Sequence, residues 1–132
     1  MLGEITGDYK EYFDRVSSES HCEIVDVMND IRFAGCSPSK FVALIQHADR
    51  VVADSYHAMA FAMLFHKPFT FIDRVGCGMN MNSRIQTLID KFDLPVERLT
   101  PITEINVDWA TFEQNIERER KKAKDYLVKA LQ

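Results

Sequence analysis

Apolar residues recur at helical spacing in four segments of the chain. In each segment they occupy positions i, i+3, i+4 and i+7, which places them along one side of a helix. The four sets are Tyr9, Tyr12, Phe13 and Val16; Phe41, Leu44, Ile45 and Ala48; Ala58, Phe61, Ala62 and Phe65; and Ile85, Leu88, Ile89 and Phe92. A looser stripe of the same kind runs through residues 109–131. The pattern therefore predicts five helices, of which the last is the longest.

Residues that favour helix ends stand where these stripes begin. A serine, asparagine or aspartate side chain accepts a hydrogen bond from a first-turn N–H group, and proline fits the first helical position. The predicted caps are, in chain order, Ser37 before Pro38, Ser55, Asn82 or Ser83, and Asp108. Pro68 after Lys67 predicts the end of the third helix, because proline cannot continue one.

Short apolar runs lie between the helices, at residues 23–28, 50–53 and 69–72. A fourth run, residues 98–102, is weakened as a strand by Pro101. Short apolar strands alternating with amphipathic helices are typical of parallel strands covered on both faces. The sequence thus predicts an α/β fold, with a small doubly wound, Rossmann-like parallel sheet, flanking helices and a long C-terminal helix.

Composition narrows the possible functions. The chain has 132 residues, a length that suits one domain, and a net charge of −4. Its basic cluster at residues 118–124 is interleaved with acidic residues, so we expect a solvated helix face and no nucleic-acid binding. The longest apolar stretch, residues 58–65, is far below the roughly 20 residues of a transmembrane helix, and we expect a cytoplasmic protein. Three cysteines without a CxxC pair predict reduced thiols, and we expect no metal and no cofactor.

The turn Asp54-Ser55-Tyr56-His57 is the first candidate site. In a doubly wound sheet, ligands bind beyond the carboxyl ends of the strands, where helix N-termini attract anions. Ser55 is the expected cap, which places His57 in the first helical turn as an acid, a base or a phosphate donor. Asp54 either orients His57 or closes the turn with its own side chain.

A second candidate cluster, Asn82-Ser83-Arg84, stands at the start of the fourth helix. An arginine beside a serine cap can hold a phosphate or a carboxylate, because the guanidinium group pairs with two oxygens of such an anion. The alternative is an ordinary cap followed by a surface arginine. The nearby Gly76-Cys77-Gly78 could wrap a ligand, but a single GxG is weak evidence.

Together these residues resemble the C-terminal part of the polysaccharide pyruvyl transferase family. The resemblance spans about residues 37–98, and its two most specific parts are the Asp-Ser-aromatic-His turn and the later Ser-Arg-Ile helix start. It is carried by Ser37-Pro38, Phe41, Ile45, Ala48-Asp49, Val51-Val52, Asp54-Ser55-Tyr56-His57, Phe61, Lys67-Pro68-Phe69, Asn82-Ser83-Arg84-Ile85, Leu94 and Arg98. The chain departs from the family at Ala58, where members usually have glycine.

The resemblance implies a role for each part of the chain. Members transfer the carboxyvinyl unit of phosphoenolpyruvate to a sugar and have two GT-B-like domains. Residues 1–107 would then form the Rossmann-like donor domain, and residues 108–132 a helix that packs on it or on a missing N-terminal domain. By position, His57 and Asp54 would be catalytic, while Ser55, Asn82, Ser83 and Arg84 would bind substrate, without a metal.

Two other functions stay open at this point. One is a GT-B-like module that binds a nucleotide-sugar, with its base near the Gly76–Gly78 loop. The other is a non-catalytic interaction domain that uses the tail helix to form a homo-oligomer. In that case polar substitutions at Phe112 and Leu127 should abolish the dimer.

Overall fold

A computed structural model of the protein describes residues 7–27, 31–33, 35–73 and 81–132. These residues form five α-helices and three strands, so the α/β class and all five predicted helices are confirmed. In chain order the elements are α1 (Gly7–Ser20), a 3-10 turn (Ile31–Phe33), α2 (Pro38–His47), β1 (Val51–Ala53), α3 (Tyr56–Leu64), β2 (Phe69–Ile72), α4 (Met81–Phe92), β3 (Ile102–Ile105) and α5 (Trp109–Ala130).

Three of the predicted caps begin helices. The Lys40 N–H donates to Ser37 Oγ over 3.3 Å at the start of α2, and the Ala58 N–H donates to Ser55 Oγ over 3.5 Å at the start of α3. Asp108 accepts from the Ala110 N–H over 3.2 Å at the start of α5. The fourth prediction is wrong, because α4 begins at Met81 and places Asn82 and Ser83 inside its first turn.

The three strands form one sheet in the order β1-β2-β3. β1 and β2 are parallel, with Val51 opposite Phe69. β3 runs antiparallel to β2, with Ile102 opposite Ile72 and Ile105 opposite Phe69. The sheet of the described residues is therefore mixed, and the predicted all-parallel sheet is wrong at its third strand.

Two of the predicted strands differ from the structure. Residues 23–27 are irregular, and Ile24 and Val25 are exposed; Met28 lies outside the described residues. The run at residues 98–102 becomes a strand only from Ile102 onward. Pro101 stands just before it, and the Pro101 carbonyl accepts from the Asp73 N–H over 2.9 Å.

The core lies on one face of the sheet. α3 packs on that face through four buried residues, and Ala62 is completely inaccessible to solvent. The apolar core joins α3 to the sheet, α2, α4 and α5 through Ile45, Val51, Ala58, Met59, Ala62, Met63, Phe69, Phe71, Ile85, Leu88, Ile89, Leu94, Ile105 and Phe112. A helix enclosed this way holds its N-terminus in a fixed place relative to the sheet.

α1 covers the opposite face of the sheet. Side chains alternate between the two faces of a strand, so Thr70 points away from its neighbours Phe69 and Phe71. Its hydroxyl is buried and lies 2.7 Å from the Tyr12 hydroxyl of α1. Tyr9 of the same helix donates to the Asp73 carbonyl over 2.6 Å. Two tyrosine hydroxyls therefore fix α1 on β2.

α5 is packed only along its first half. Phe112 is 1% exposed, and the buried Asn115 donates to the Phe92 carbonyl at the end of α4 over 3.1 Å. Glu119 reaches Lys91 of α4 over 3.1 Å. From Arg120 onward every residue is exposed. Among the described residues, no helix combines the length and the apolar character that crossing a membrane would need.

Three helices end on a residue with a left-handed backbone. His21, His66 and Asp93 have φ angles of 51°, 53° and 52°, and they follow α1, α3 and α4 respectively. Glycine is the residue that usually occupies this conformation. His66 is held there by ring stacking on Trp109, with centroids 4.9 Å apart, and by a hydrogen bond to Glu113.

Candidate functional site

The carboxyl ends of β1 and β2 form one edge of the sheet. Because the two strands are parallel and Ala53 pairs with Phe71, the chain leaves both strands at this edge, through Asp54 after β1 and through Asp73 after β2. Neighbouring strands lie about 4.8 Å apart. β3 starts at the same edge, since Ile102 pairs with Ile72. This edge is where an α/β sheet binds its ligands.

The turn after β1 holds a histidine at the start of a buried helix. Ser55 caps α3, and His57 is the second helical residue, with an exposed side chain. The ring of Tyr56 packs against the core and meets the His57 ring edge-on, with centroids 5.7 Å apart and planes at 88°. Tyr56 thus anchors the turn, while His57 faces solvent where a ligand can reach it. Asp54 is half-buried next to them.

The C-terminal end of α4 lies near the opposite edge of the sheet. The end of α4 at Phe92 shares a surface depression with Asn106 and Asp108, which follow β3 at the opposite edge of the sheet. α4 is twelve residues long, about 18 Å at 1.5 Å per residue. The placement of Ser83 and Arg84 at the carboxyl ends of β1 and β2, beside the Asp54–His57 turn, stays a prediction.

Each predicted residue of the second cluster has a definite position along α4. Ser83 and Arg84 lie in its first turn with exposed side chains, and the Ser83 carbonyl accepts from the Thr87 hydroxyl over 2.8 Å. The side chain of Asn82, and the whole Gly76-Cys77-Gly78 loop, lie outside the described residues.

The first turns of α3 and α4 can bind an anion, and the carboxylates of Asp54 and Asp73 lie at the carboxyl ends of β1 and β2. The first turns of α3 and α4 contain no acidic residue, so nothing within them offsets the positive ends of the two helix dipoles. In an α-helix the first N–H groups have no intrahelical acceptor, which leaves those of Tyr56 and His57 pointing out of α3. Arg84 adds a full positive charge. A phosphate or a carboxylate fits this set of donors.

Sequence reasoning missed Asp73 at this edge. Asp73 follows β2 just as Asp54 follows β1, and its backbone is fixed on both sides by Tyr9 and Pro101. The signal was present, since both strands are apolar runs that end on an aspartate. The long-range contacts that hold Asp73 in place were not readable from its neighbours in sequence.

The described residues also form surface depressions outside the two predicted clusters. One depression of about 390 Å³ includes Phe92 and Asp108, and another of about 660 Å³ includes Tyr12 and Arg15. Neither is lined by residues of the two predicted clusters. Within the described ranges, His, Cys, Asp and Glu side chains form no group of three that could hold a metal ion.

Comparison with known proteins identifies the family. The sequence model described as polysaccharide pyruvyl transferase matches residues 8–74, just over half of the 132-residue chain. The matched segment runs from α1 to the end of β2 and includes the Asp54–His57 turn, but it stops before Asn82. No curated protein and no solved structure matches the chain. The chain therefore belongs to the polysaccharide pyruvyl transferase family.

Proposed function

We propose that this chain is the donor-binding part of a pyruvyl transferase and that it holds phosphoenolpyruvate at the carboxyl edge of β1 and β2. The observation that carries the proposal is the position of His57, in the first turn of a buried helix, inside the segment that the family model matches. Family membership supports a transferase of this general type.

Phosphoenolpyruvate suits the charge of this edge. It carries a phosphate and a carboxylate, and the edge offers two helix N-termini and Arg84. In the proposed complex, the N–H groups at the start of α3 and the Ser55 hydroxyl bind one anionic group. Arg84, with Ser83 and Asn82, binds the other by paired hydrogen bonds.

The reaction makes a ketal from an enol phosphate and two sugar hydroxyls. An acid protonates the vinyl CH₂ carbon, which becomes CH₃ and leaves C2 electron-deficient. One hydroxyl adds to C2, the bond from C2 to the phosphate oxygen breaks, and the second hydroxyl takes the place of phosphate. Two hydroxyl protons are lost, one proton is gained by carbon, and the other leaves with phosphate.

His57 and Asp54 supply the proton chemistry in this proposal. His57 is exposed at the edge and donates the proton to carbon, while Asp54 orients the ring or accepts a hydroxyl proton. Asp73 is a second carboxylate that could take this role at the end of β2. The departure at Ala58 adds a methyl group, but that residue is 4% exposed and packs into the core.

The proposed domain arrangement follows from the same assignment. Residues 1–107 form the Rossmann-like donor part of a GT-B-like enzyme, and residues 108–132 form a helix attached to it. The buried side chain of Phe112 packs the start of that helix against the core. The sugar acceptor would approach from a further domain, so we expect this chain alone to bind the donor with little turnover.

The test is a titration of phosphoenolpyruvate followed by backbone NMR. We expect shifts at residues 54–58 and 83–85. Both His57→Ala and Arg84→Ala should weaken binding about tenfold or more, since each removes a charge-assisted hydrogen bond of about 1.5–3 kcal/mol. His47→Ala and Arg118→Ala are matched controls, because both side chains are exposed and His47 ends α2 near the opposite edge.

Other outcomes would point elsewhere. Shifts produced by a uridine nucleotide and not by phosphoenolpyruvate would support the nucleotide-sugar module. Equal weakening by the control variants would show that binding is not local to this edge. Absence of shifts with millimolar phosphoenolpyruvate would reject donor binding by this chain.

A further inference from the structure

The second half of α5 projects beyond the packed part of the protein. We call residues 120–132 the basic tip; all of them are exposed. The basic tip contains five basic residues and one acidic residue, a net charge of +4. The remaining 119 residues contain 11 basic and 19 acidic residues, a net charge of −8. The chain is thus electrically divided, with its positive charge concentrated on one exposed helix end.

An apolar arc runs along the basic tip. At 100° per residue, Ala123, Tyr126, Leu127 and Ala130 continue the line of α5 that Phe112 starts in the core. Within the tip this line meets solvent, since Tyr126 is 73% exposed and Leu131, beside it, is 87% exposed. We call residues 1–119 the body. The side of α5 that packs on the body at Phe112 is therefore exposed to solvent within the basic tip.

Basic side chains border the arc on both sides. By the same angular count, Arg120 and Lys124 lie on one side of it, and Lys122 and Lys129 lie on the other. Lys122 also reaches back to Glu119 over 2.8 Å. Long cationic side chains that flank an apolar face can place their stems against it and their charges at a headgroup layer.

We propose that the basic tip binds the surface of an anionic phospholipid bilayer, with its apolar arc turned toward the acyl chains. An amphipathic helix with basic flanks has this chemistry. Pairing with the basic tip of a second copy is disfavoured, because it would bring two like-charged sets together. This proposal does not depend on the donor site.

The acidic body lies on the same side of α5 as the apolar arc, so the far end of the tip makes the contact, with α5 inclined to the bilayer. The tip extends about 18 Å past Glu119 at 1.5 Å per residue. Charges in solution are screened over about 8 Å at physiological ionic strength. A bilayer that touches the far end of the tip is thus largely screened from the body.

The test is flotation of the full chain with vesicles. Vesicles of phosphatidylcholine alone are compared with vesicles that also contain phosphatidylglycerol. We expect the chain to float with the anionic vesicles only, and to be released as salt is raised. Lys124→Gln with Lys129→Gln should lower the partition coefficient roughly fivefold per lysine. Leu127→Ser with Leu131→Ser should abolish flotation.

Matched controls separate this surface from general stickiness. Ile31→Ser removes an apolar side chain that is 88% exposed outside the tip, and Lys10→Gln removes an exposed charge on α1. Both should float as the unchanged chain does. Flotation with neutral vesicles, or none with anionic vesicles, would overturn the proposal. So would a concentration-dependent dimer in sedimentation that the same leucine variants dissociate, because the second copy would then be the occupant.

Discussion

The hydroxyl of Tyr12 helps to hold α1 on the sheet. It shares a hydrogen bond with the Thr70 hydroxyl, and both residues are buried. A buried polar atom without a partner lowers the free energy of unfolding by more than a hydrogen bond raises it. The loss of either hydroxyl should therefore destabilise the protein, because the other hydroxyl stays buried without its partner.

We predict that Tyr12→Phe lowers the free energy of unfolding by about 1–3 kcal/mol, because the Thr70 hydroxyl loses its partner. Urea denaturation followed by circular dichroism measures this change. Tyr126→Phe removes the same hydroxyl from a side chain that is 73% exposed, and it should leave the midpoint unchanged. Equal midpoints for both variants would contradict the role of the Tyr12 pair.

The cap of α5 makes a pH-dependent contribution. The Thr111 hydroxyl, which donates to Asp108 Oδ2 over 2.6 Å, and then the Ala110 and Thr111 N–H groups hold the pKa of Asp108 below its ordinary value. A carboxyl group with a lower pKa in the folded state binds fewer protons there than in the unfolded state. Its contribution is therefore present above the unfolded pKa and is lost as the pH falls through the folded pKa.

We predict that Thr111→Val raises the pKa of Asp108 toward its ordinary value. Carboxyl ¹³C shifts followed against pH measure it directly. The stability difference between the two proteins should be present at neutral pH and should shrink as the pH falls below about 4. Thr87→Val, which removes a threonine hydroxyl from an exposed position on α4, should leave the pKa of Asp108 unchanged. A difference that grows in acid would show that Thr111 acts by another route.

At the residue scale, short-range chemistry was predictable and long-range chemistry was not. Ser37, Ser55 and Asp108 could be named as caps because each bonds to a residue two or three positions away. The partner of Tyr12 is 58 residues distant, and that of Asn115 is 23 residues distant. No local pattern encodes such a pair.

At the scale of elements, Asn115 joins α4 to α5. Its side-chain amide donates to the Phe92 carbonyl, one of the carbonyls that a helix end leaves without an intrahelical partner. Nearby, Lys91 and Glu119 link the same two helices at the surface, and Lys122 and then Lys91 hold the pKa of Glu119 below its ordinary value. The buried contact should matter more, since exposed ion pairs contribute little.

We predict that Asn115→Leu lowers the free energy of unfolding by about 1–3 kcal/mol, because the partly buried Phe92 carbonyl loses its donor. Thermal denaturation or urea titration measures this loss. Gln114→Leu is the matched control, since that neighbouring amide is exposed on the same helix. If Gln114→Leu destabilised the protein equally, helix propensity and not the α4–α5 contact would be the cause.

Helices were easier to predict than strands in this chain. An amphipathic stripe spans several turns, so the sequence of each helix indicates which of its sides is buried. A strand of three or four residues does not encode its direction or its partners. β3 therefore proved antiparallel, and residues 23–27 remained irregular although their composition favoured a strand.

Both residues predicted to mediate a dimer lie on α5, but in different environments. Leu127 is 58% exposed, whereas Phe112 is buried in the core with Phe92 and Trp109 against its ring. Phe112 is therefore wrong as a docking residue. A polar substitution there would unfold the protein and would report nothing about association.

At the scale of the whole molecule, stability resides in the body and not in the end of α5. Residues 125–132 are all exposed, and the core contains none of them. Ending the chain after Lys124 keeps one helical turn beyond Glu119. We predict that this truncation leaves the free energy of unfolding, measured by urea denaturation, within about 0.5 kcal/mol of that of the full chain, as for surface changes.

The matched control for this truncation is a chain that ends after Asp108. It loses Phe112 and Asn115 from the core, so it should be unfolded by circular dichroism. A clear loss of stability in the chain that ends after Lys124 would mean that the basic tip contacts the body.

The general location of the candidate site could be predicted, but its full composition could not. The Asp54–His57 turn was found because its strand, cap and helix are contiguous in sequence. The contribution of α4 stays a prediction, since the positions of Ser83 and Arg84 depend on how that helix packs and not on their neighbours in sequence. Asp73 joins the edge through contacts with α1 and with the segment before β3.

The left-handed helix ends have a consequence for how this protein can change over evolution. A residue with a Cβ atom in that conformation costs roughly 1–2 kcal/mol relative to glycine. His66 offsets the cost through its contacts with Trp109 and Glu113. A substitution at His66 would therefore remove these contacts as well as the backbone strain. At His21 and Asp93 the side chains are exposed. A single mutation to glycine at either position would raise the free energy of unfolding. The more stable protein could then tolerate destabilising mutations that alter its specificity.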